Sequence, residues 1–444
     1  MSYPRVLLFG QSFNDFSGGG ITLSKLFKCW PIECLAVVSY PYMLHNSSNL
    51  VCRNYYQIGM DEMRWKFPFS ILKQKFPSGK LNISNHSRLS VLKKTKTFRH
   101  SLSYGIVNPA IRWAGLIHSV SSIHISPVLI NWLSDYDPEI LYLQISNRES
   151  INFARELIDY LKIPSVIHMM DDWPSTISNQ GPFKKYWYGI IDHEFRALLD
   201  KTDLHLSIST EMSEEYLNRY GKRFIPFHNS IESGVFNVET KVQKSEANKF
   251  RILYVGRIGT ANRRSLLNFA ESISKFNFPG FDIELFIYTK DHECSDAQRI
   301  GKFKKVRINK AVDHNDIPGL LISYDLLLLP LDFTKSGLKF SRLSMPTKAI
   351  EYMASGTPIL VYAPSETAIY KFCHRYECAH CISSLEHQEL SGSLLKLFTD
   401  SEYRDKIILN AKHISQELFD GDKVRQEFRN IISDLVIGQR NRLK

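Results

Sequence analysis

Residues 325–363 read DLLLLPLDFTKSGLKFSRLSMPTKAIEYMASGTPILVYA, and the alternation within them decides the fold. Two apolar runs, Leu326–Leu331 and Pro358–Ala363, flank a stretch of helical character at 346–355. Runs that are apolar throughout, instead of on alternate residues, predict strands of a parallel sheet covered on both faces. Ser344 is available as the helix cap, and Pro346 falls early in the first turn, where its missing N–H costs nothing. Lys348 and Glu351 then share one helix face.

The same rhythm extends outward. RILYVG (251–256), IELFIY (283–288) and KVRIN (305–309) precede the deciding stretch as strands. Helices are expected at 262–276, 313–323, 346–355 and 386–398. In the first half, RVLLF (5–9), ECLAVV (33–38), ILYLQ (140–144), SVIHMM (165–170) and LHLSIS (204–209) read as strands. Helices fit 20–30, 149–162, 186–200 and 210–220. The pattern predicts an α/β protein of two doubly wound, Rossmann-like domains. The first spans 1–237 and carries an insertion at about 60–135 that breaks the βα rhythm. The charged stretch 238–249 is the expected linker, 250–420 the second domain, and 421–444 a C-terminal helix with a basic tail.

The 444 residues are 43 % hydrophobic and 23 % charged. That balance suits a globular chain and excludes a disordered or collagen-like one. No apolar run approaches the ~20 residues of a membrane-spanning helix. The N-terminal apolar run is too short for a signal-peptide core, so a cytoplasmic location is expected. Seven scattered cysteines do not make a disulfide framework. Cys373, His374, Cys378, His380 and Cys381 could hold zinc, but no second ligand pair accompanies them, and a buried strand is the plainer reading.

The net charge is +11. Between Arg64 and His100 stand seven Lys (66, 73, 75, 80, 93, 94, 96), three Arg (64, 88, 99) and no Asp or Glu, so this segment alone carries +10. Trp65, Phe67, Phe69, Phe76 and Phe98 are interleaved with the cations. The combination suits an anionic membrane surface, possible at the inner face of the cell membrane. A solvated insertion is the plain alternative; nucleic acid has only the charge in its favour and no recognition motif.

Four loops at strand ends could hold a phosphorylated ligand. The first contains Gly18, Gly19 and Gly20, which could bring backbone amides up to a phosphate at a helix start or form a simple turn. Arg257, Arg263 and Arg264 in the second could meet a diphosphate or be surface charge. Ser344, Thr347, Lys348 and Glu351 lie in the third, where amides and Lys348 could take an anion and Glu351 a ribose diol; an i,i+3 ion pair is the alternative. His168, Asp171 and Asp172 cluster in the fourth, suited to hydrogen-bonding a hydroxylated substrate, or to a satisfied histidine and helix-capping acids. No metal site is expected among them.

Together these stretches resemble the family 4 (group 1) glycosyltransferases of the GT-B fold. The likeness is strongest over 250–363: ILYVGRI, DLLLLPL and Pro346-x-Lys348-x-x-Glu351-Tyr352-Met353-Ala354-x-Gly356-x-Pro358 follow in the family's order. It extends more weakly to Gly18–Gly20, HMMDDWP (168–174) and FHNSIESGVF (227–236). The resemblance implies two domains facing across a cleft, with the C-terminal helix crossing back. It implies a nucleotide-diphosphate sugar as donor and a glycan or lipid-linked acceptor, without cofactor or metal and with retention, in surface polysaccharide or glycolipid synthesis. Arg257, Arg263 or Arg264, and Lys348 would face the diphosphate; Gly19 and Gly20 would adjoin the leaving phosphate. Ser344 and Thr347 would line the donor site and Glu351 the ribose, while His168, Asp171 and Asp172 would stand on the sugar or acceptor side. His168, Arg257 and Lys348 are the catalytic candidates. Leu343 stands where the family's first Glu belongs, which leaves open a non-catalytic nucleotide-sugar-binding protein, or another GT-B enzyme such as an epimerase.

Overall fold

The computed structural model describes residues 3–44, 47–67, 69–71, 75–81, 111, 113, 115–177, 181–236, 249–276, 278 and 280–442. The chain divides into two units, residues 1–227 with 425–444, and residues 228–424. Most of the basic segment and all but the last residue of the 238–249 stretch lie outside the described residues.

The first unit is built on an eight-stranded sheet. Its strands are β1 (Val6–Phe9), β2 (Leu35–Ser39), β3 (Asn54–Gln57), β5 (Gly79–Leu81), β7 (Ile140–Leu143), β8 (Ser165–Met169), β9 (Leu204–Ser207) and β10 (Ile225–Pro226), in the order β10-β9-β8-β7-β1-β2-β3-β5. All neighbours pair in parallel except β3 with β5. The insertion supplies that antiparallel edge, and a separate ribbon of β4 (Met63–Trp65) with β6 (Ser121–Ile123). One buried carboxylate ties its two ends together. Glu62 accepts from Tyr56 Oη at 2.7 Å, Gly59 N at 2.8 Å, Ser78 Oγ at 2.6 Å and Ser126 Oγ. Burial alone would raise its pKa; these donors overcome that and hold it below the usual carboxylate range.

The longer helices are α1 (Gly18–Leu26), α2 (Pro127–Tyr136), α3 (Arg148–Leu161), α4 (Lys184–Lys201) and α5 (Thr210–Tyr220). Their starts follow capping chemistry: Ser126 before Pro127 on α2, an Asn147–Ser150 capping box on α3, and Ser209 on α5. The central strands are wholly buried, as their continuous apolar character requires.

The second unit has six parallel strands: β11 (Lys249–Val255), β12 (Asp282–Thr289), β13 (Val306–Lys310), β14 (Leu326–Pro330), β15 (Ile359–Tyr362) and β16 (His380–Ile382). Their order, β13-β12-β11-β14-β15-β16, is the doubly wound 3-2-1-4-5-6 arrangement. Around them lie α6 (Arg263–Lys275), α7 (Ser295–Ile300), α8 (Ile317–Ile322), α9 (Lys335–Ser341), α10 (Thr347–Ser355), α11 (Ala368–Arg375), α12 (His387–Thr399) and α13 (Ser401–Leu418). The last helix, α14 (Gly421–Arg442), belongs to the first unit from Arg425 onward. There Phe428 packs edge-on against Phe27, Trp30, Tyr142 and Phe227, an aromatic knot whose burial anchors the returning chain.

The cysteine-rich stretch is the end of α11 and strand β16, with all seven cysteines free. Among the described residues no three His, Cys, Asp or Glu are grouped to hold a metal ion, and no helix is long and apolar enough to cross a membrane.

Candidate active site

In a doubly wound sheet the crevice opens where strand order reverses, beyond the carboxyl ends of the two strands that meet there. In the second unit these strands are β11 and β14. Strand β11 runs into Gly256, whose φ of +149° favours glycine. A Cβ there would stand 2.3 Å from Lys348 Nζ and 3.0 Å from Tyr254 Oη. The glycine is therefore required twice, by its backbone and by the lysine pressed against it.

Lys348 comes from the first turn of α10. Its ammonium donates to Tyr254 Oη and to Val255 O, both at 3.1 Å, and stands 4.1 Å above the centre of the Tyr254 ring. Desolvation lowers its pKa to about 7, against an opposing pull from Glu351. The Tyr254 phenol is pushed up by burial and stays protonated. It donates to Arg257 O at 2.6 Å and accepts from Asn262 Nδ2 at 2.6 Å. Asn262 also donates to Arg257 O at 3.0 Å and accepts from Gly259 N at 3.0 Å. Asp332, buried beyond β14, bonds Arg264 N at 3.3 Å and Thr334 N at 2.9 Å, while its own amide donates to Ala261 O at 2.7 Å. The loops after β11 and β14 are thus stitched into one surface around Lys348.

The other candidates fall at varying distances from this hub. The Arg257 side chain is 82 % exposed and reaches Asp291 at 3.3 Å, while its carbonyl joins the hub. Arg263 pairs with Asp296 at 3.6 Å; with Arg264 and Arg299 it lines a separate recess of about 240 Å³ between α6 and α7. Helix α10 starts at Thr347 with Pro346 as its N-cap and no side-chain cap. Ser344, expected as the cap, instead donates to Phe340 O at 3.0 Å, because the chain still turns at the end of α9. Glu351 is half-buried one turn into α10. Leu343 is buried.

In the first unit most of the corresponding groups are bonded to neighbouring residues. The three glycines do not precede α1; they form its first turn, capped by Ser17. Ser17 N and Oγ both donate to Asn14 Oδ1, at 2.9 and 2.8 Å. A Cβ on Gly20 would fall 2.3 Å from the Asn14 amide; one on Gly19 would meet Gln11 at 3.3 Å. His168 is buried inside β8, two residues before the strand end is passed, with Nδ1 bonded to Tyr142 Oη. Asp172 is buried and bound by Arg219 at 2.8 and 3.2 Å and by Tyr216 Oη at 3.0 Å. Asp171 is exposed. In the second unit Asp420 caps α14, accepting from Asp422 N, Lys423 N and Ser233 Oγ.

Sequence reading missed Tyr254, Asn262 and Asp332. The signal was faint: a tyrosine in an otherwise aliphatic strand, an asparagine before a helix, and an acid after a buried strand.

Residues 249–400, the core of this unit, match the model of the family described as glycosyl transferases group 1. The match covers about a third of the chain, within the second unit. Among curated proteins no sequence relative matches. Solved structures do. Anabaena Alr3699/HepE in complex with UDP and glucose is similar at a TM-score of 0.62 and 12 % identity, covering 97 % of this chain and 100 % of that one. Sucrose-phosphate synthase from Thermosynechococcus elongatus gives 0.61 at 12 % identity, covering 98 % and 99 %. WaaG, a glycosyltransferase involved in lipopolysaccharide biosynthesis, gives 0.54 at 13 %, covering 96 % and 99 %. Over nearly its whole length the chain therefore has the GT-B fold.

Proposed function

We propose that this protein transfers a sugar from a nucleotide-diphosphate donor to a glycan or lipid-linked acceptor, with retention and without a metal ion. The observation that carries the reading is the Lys348 ammonium seated over Gly256 at the strand-order reversal of a glycosyltransferase domain. Cleaving a sugar–phosphate bond places negative charge on the departing diphosphate, and preorganised cations and helix amides stabilise it. Lys348, the uncapped start of α10 with Ser344 and Thr347 beside it, and the exposed guanidinium of Arg257 supply such groups. Arg263 and Arg264 serve the donor from the neighbouring recess, and Glu351 takes the ribose hydroxyls. Gly19 and Gly20 adjoin the phosphate; His168, Asp171 and Asp172 stand on the sugar and acceptor side. No cofactor is required, since the nucleotide sugar is itself a substrate.

That HepE is described with UDP and glucose, and WaaG with lipopolysaccharide biosynthesis, supports a nucleotide-sugar donor and work on a surface glycan or glycolipid. A cytoplasmic protein attached at the membrane face through 64–100 fits this role. Burial of Leu343, where the family has Glu, favours one second reading, a protein that binds nucleotide sugar without turnover. Mass spectrometry of turnover with UDP-, GDP- and dTDP-sugars and extracted glycolipid acceptors, with and without EDTA, separates the two. Sugar transfer that persists in EDTA is expected. Binding without transfer establishes the second reading, and transfer that EDTA abolishes and a divalent metal restores overturns the metal-independent mechanism.

A further inference from the structure

The first unit presents a surface that the sequence did not reveal, because its parts lie more than forty residues apart in the chain. Residues 63–134 contain no Asp or Glu; Arg112 joins the ten basic residues between 64 and 100. A second acid-free stretch, 173–191, contains Lys184 and Lys185 at the start of α4. The fold brings the two together.

Trp187, buried, is the hub. Its ring lies 5.4 Å from His118 and 5.2 Å from Tyr186, with the Arg148 guanidinium 5.5 Å away. Gly115, at φ +67°, approaches so closely that a Cβ would stand 2.5 Å from the Trp187 ring. Gly181, at φ +85°, would place one 1.7 Å from Trp113 O. The ribbon of β4 and β6 continues this contact, with Lys66 N donating to Val120 O at 2.9 Å. Residues 65–67, Trp113, 115–120 and 181–188 are thereby locked into one surface.

That surface is apolar where it meets water. Phe67 is 80 % exposed, Trp113 61 %, Tyr186 61 % and Phe183 55 %. Large aromatics are normally buried, and several exposed together mark an interaction site. Arg64, Lys66, Lys184 and Lys185 are exposed among them. Beside them opens a recess of about 390 Å³, walled by Arg64, Trp65 and Lys66, with Glu149 and Glu156 also lining it. Amphipathic rings favour the headgroup level of a bilayer, and lysines beside them are drawn to anionic lipid.

We infer that Phe67, Trp113, Phe183 and Tyr186, with Lys184 and Lys185, form a preformed shelf that docks this protein on an anionic lipid bilayer. The inference rests on the membrane-face reading above and deepens it: the contact is a rigid aromatic surface of the folded unit, reaching beyond 64–100 to the start of α4. A protein partner fits less well, since the charged residues exposed among these aromatics are cations, the two acids lie in the adjoining recess, and this charge complements a lipid surface.

The test uses full-length protein and vesicles of phosphatidylcholine, with and without phosphatidylglycerol. Sedimentation is expected only with phosphatidylglycerol, and molar salt is expected to release the protein. Lys184→Ala/Lys185→Ala should weaken binding about 30-fold, and Trp113→Ala/Phe183→Ala/Tyr186→Ala should abolish it. The lysine variant touches only exposed side chains, so it remains informative if the aromatic one misfolds. Undiminished binding by the lysine variant overturns the shelf, as does equal binding to phosphatidylcholine alone or no binding at low salt. UDP, GDP and dTDP binding measured on the same samples keeps the readings apart. Nucleotide binding without vesicle binding refutes the shelf alone, and vesicle binding without nucleotide binding refutes the donor reading alone.

Discussion

The two units share an architecture and differ in how they use it. Each reverses strand order beside its first strand, between β1 and β7 in one and between β11 and β14 in the other. In the first unit, polar groups near the carboxyl ends of the strands are tied up locally: Asn14 and Ser17 fix the start of α1, His168 bonds the Tyr142 hydroxyl, and Arg219 grips the Asp172 carboxylate. In the second unit, a network of comparable density holds one cation against a glycine turn. A doubly wound sheet supplies a place for a ligand, and the chemistry comes from whether its polar groups remain available there.

The largest expected effect breaks the cation. Lys348→Met should weaken nucleotide-diphosphate binding by roughly 100-fold or more, since charge-assisted bonds at a partly desolvated site are worth several kcal/mol; calorimetric titration reads it. On the other side of the comparison, Asp172→Asn should leave Arg219 with Glu215 as its remaining carboxylate partner and lower stability by about 2 kcal/mol, read by denaturant unfolding. If stability holds while transfer fails, Asp172 acts on substrate and the contrast between units weakens.

A smaller effect sharpens the hub. Tyr254→Phe removes the oxygen that receives both Lys348 and Asn262, and should weaken diphosphate binding about tenfold. The pH dependence follows from Lys348. Its pKa near 7 means the unliganded protein loses this proton as pH rises above neutrality, while a bound diphosphate retains it. Binding then takes up a proton, and affinity should fall by up to about tenfold per pH unit above 7, a slope absent in Lys348→Met. The smallest effect, a few-fold loss with Glu351→Gln, would match a single ribose hydrogen bond.

The parallel strands were legible because burial on both faces writes continuous apolar runs, and β1, β7, β11 and β14 fall within a residue or two of expectation. β3, Asn54–Gln57, was not, because its two buried residues are tyrosines between polar neighbours. Helix α13 was missed because only Ile407, Ala411, Ile414 and Ser415 of its eighteen residues are buried. Lys348 could be read from its place beside a helix start. Its partners could not: Tyr254 lies 94 residues away in the chain, and only the sheet brings its hydroxyl within reach. Arg263 and Arg264 were legible because they open a helix after a strand; the recess they line with Asp296 was not, nor was the contact of Asn262 with Tyr254.

The most direct test is calorimetric titration of UDP, GDP and dTDP into the intact protein and into Lys348→Met at neutral pH. The account predicts measurable binding of at least one nucleotide to the intact protein and loss of that binding in the variant. Equal affinity in both proteins would contradict it.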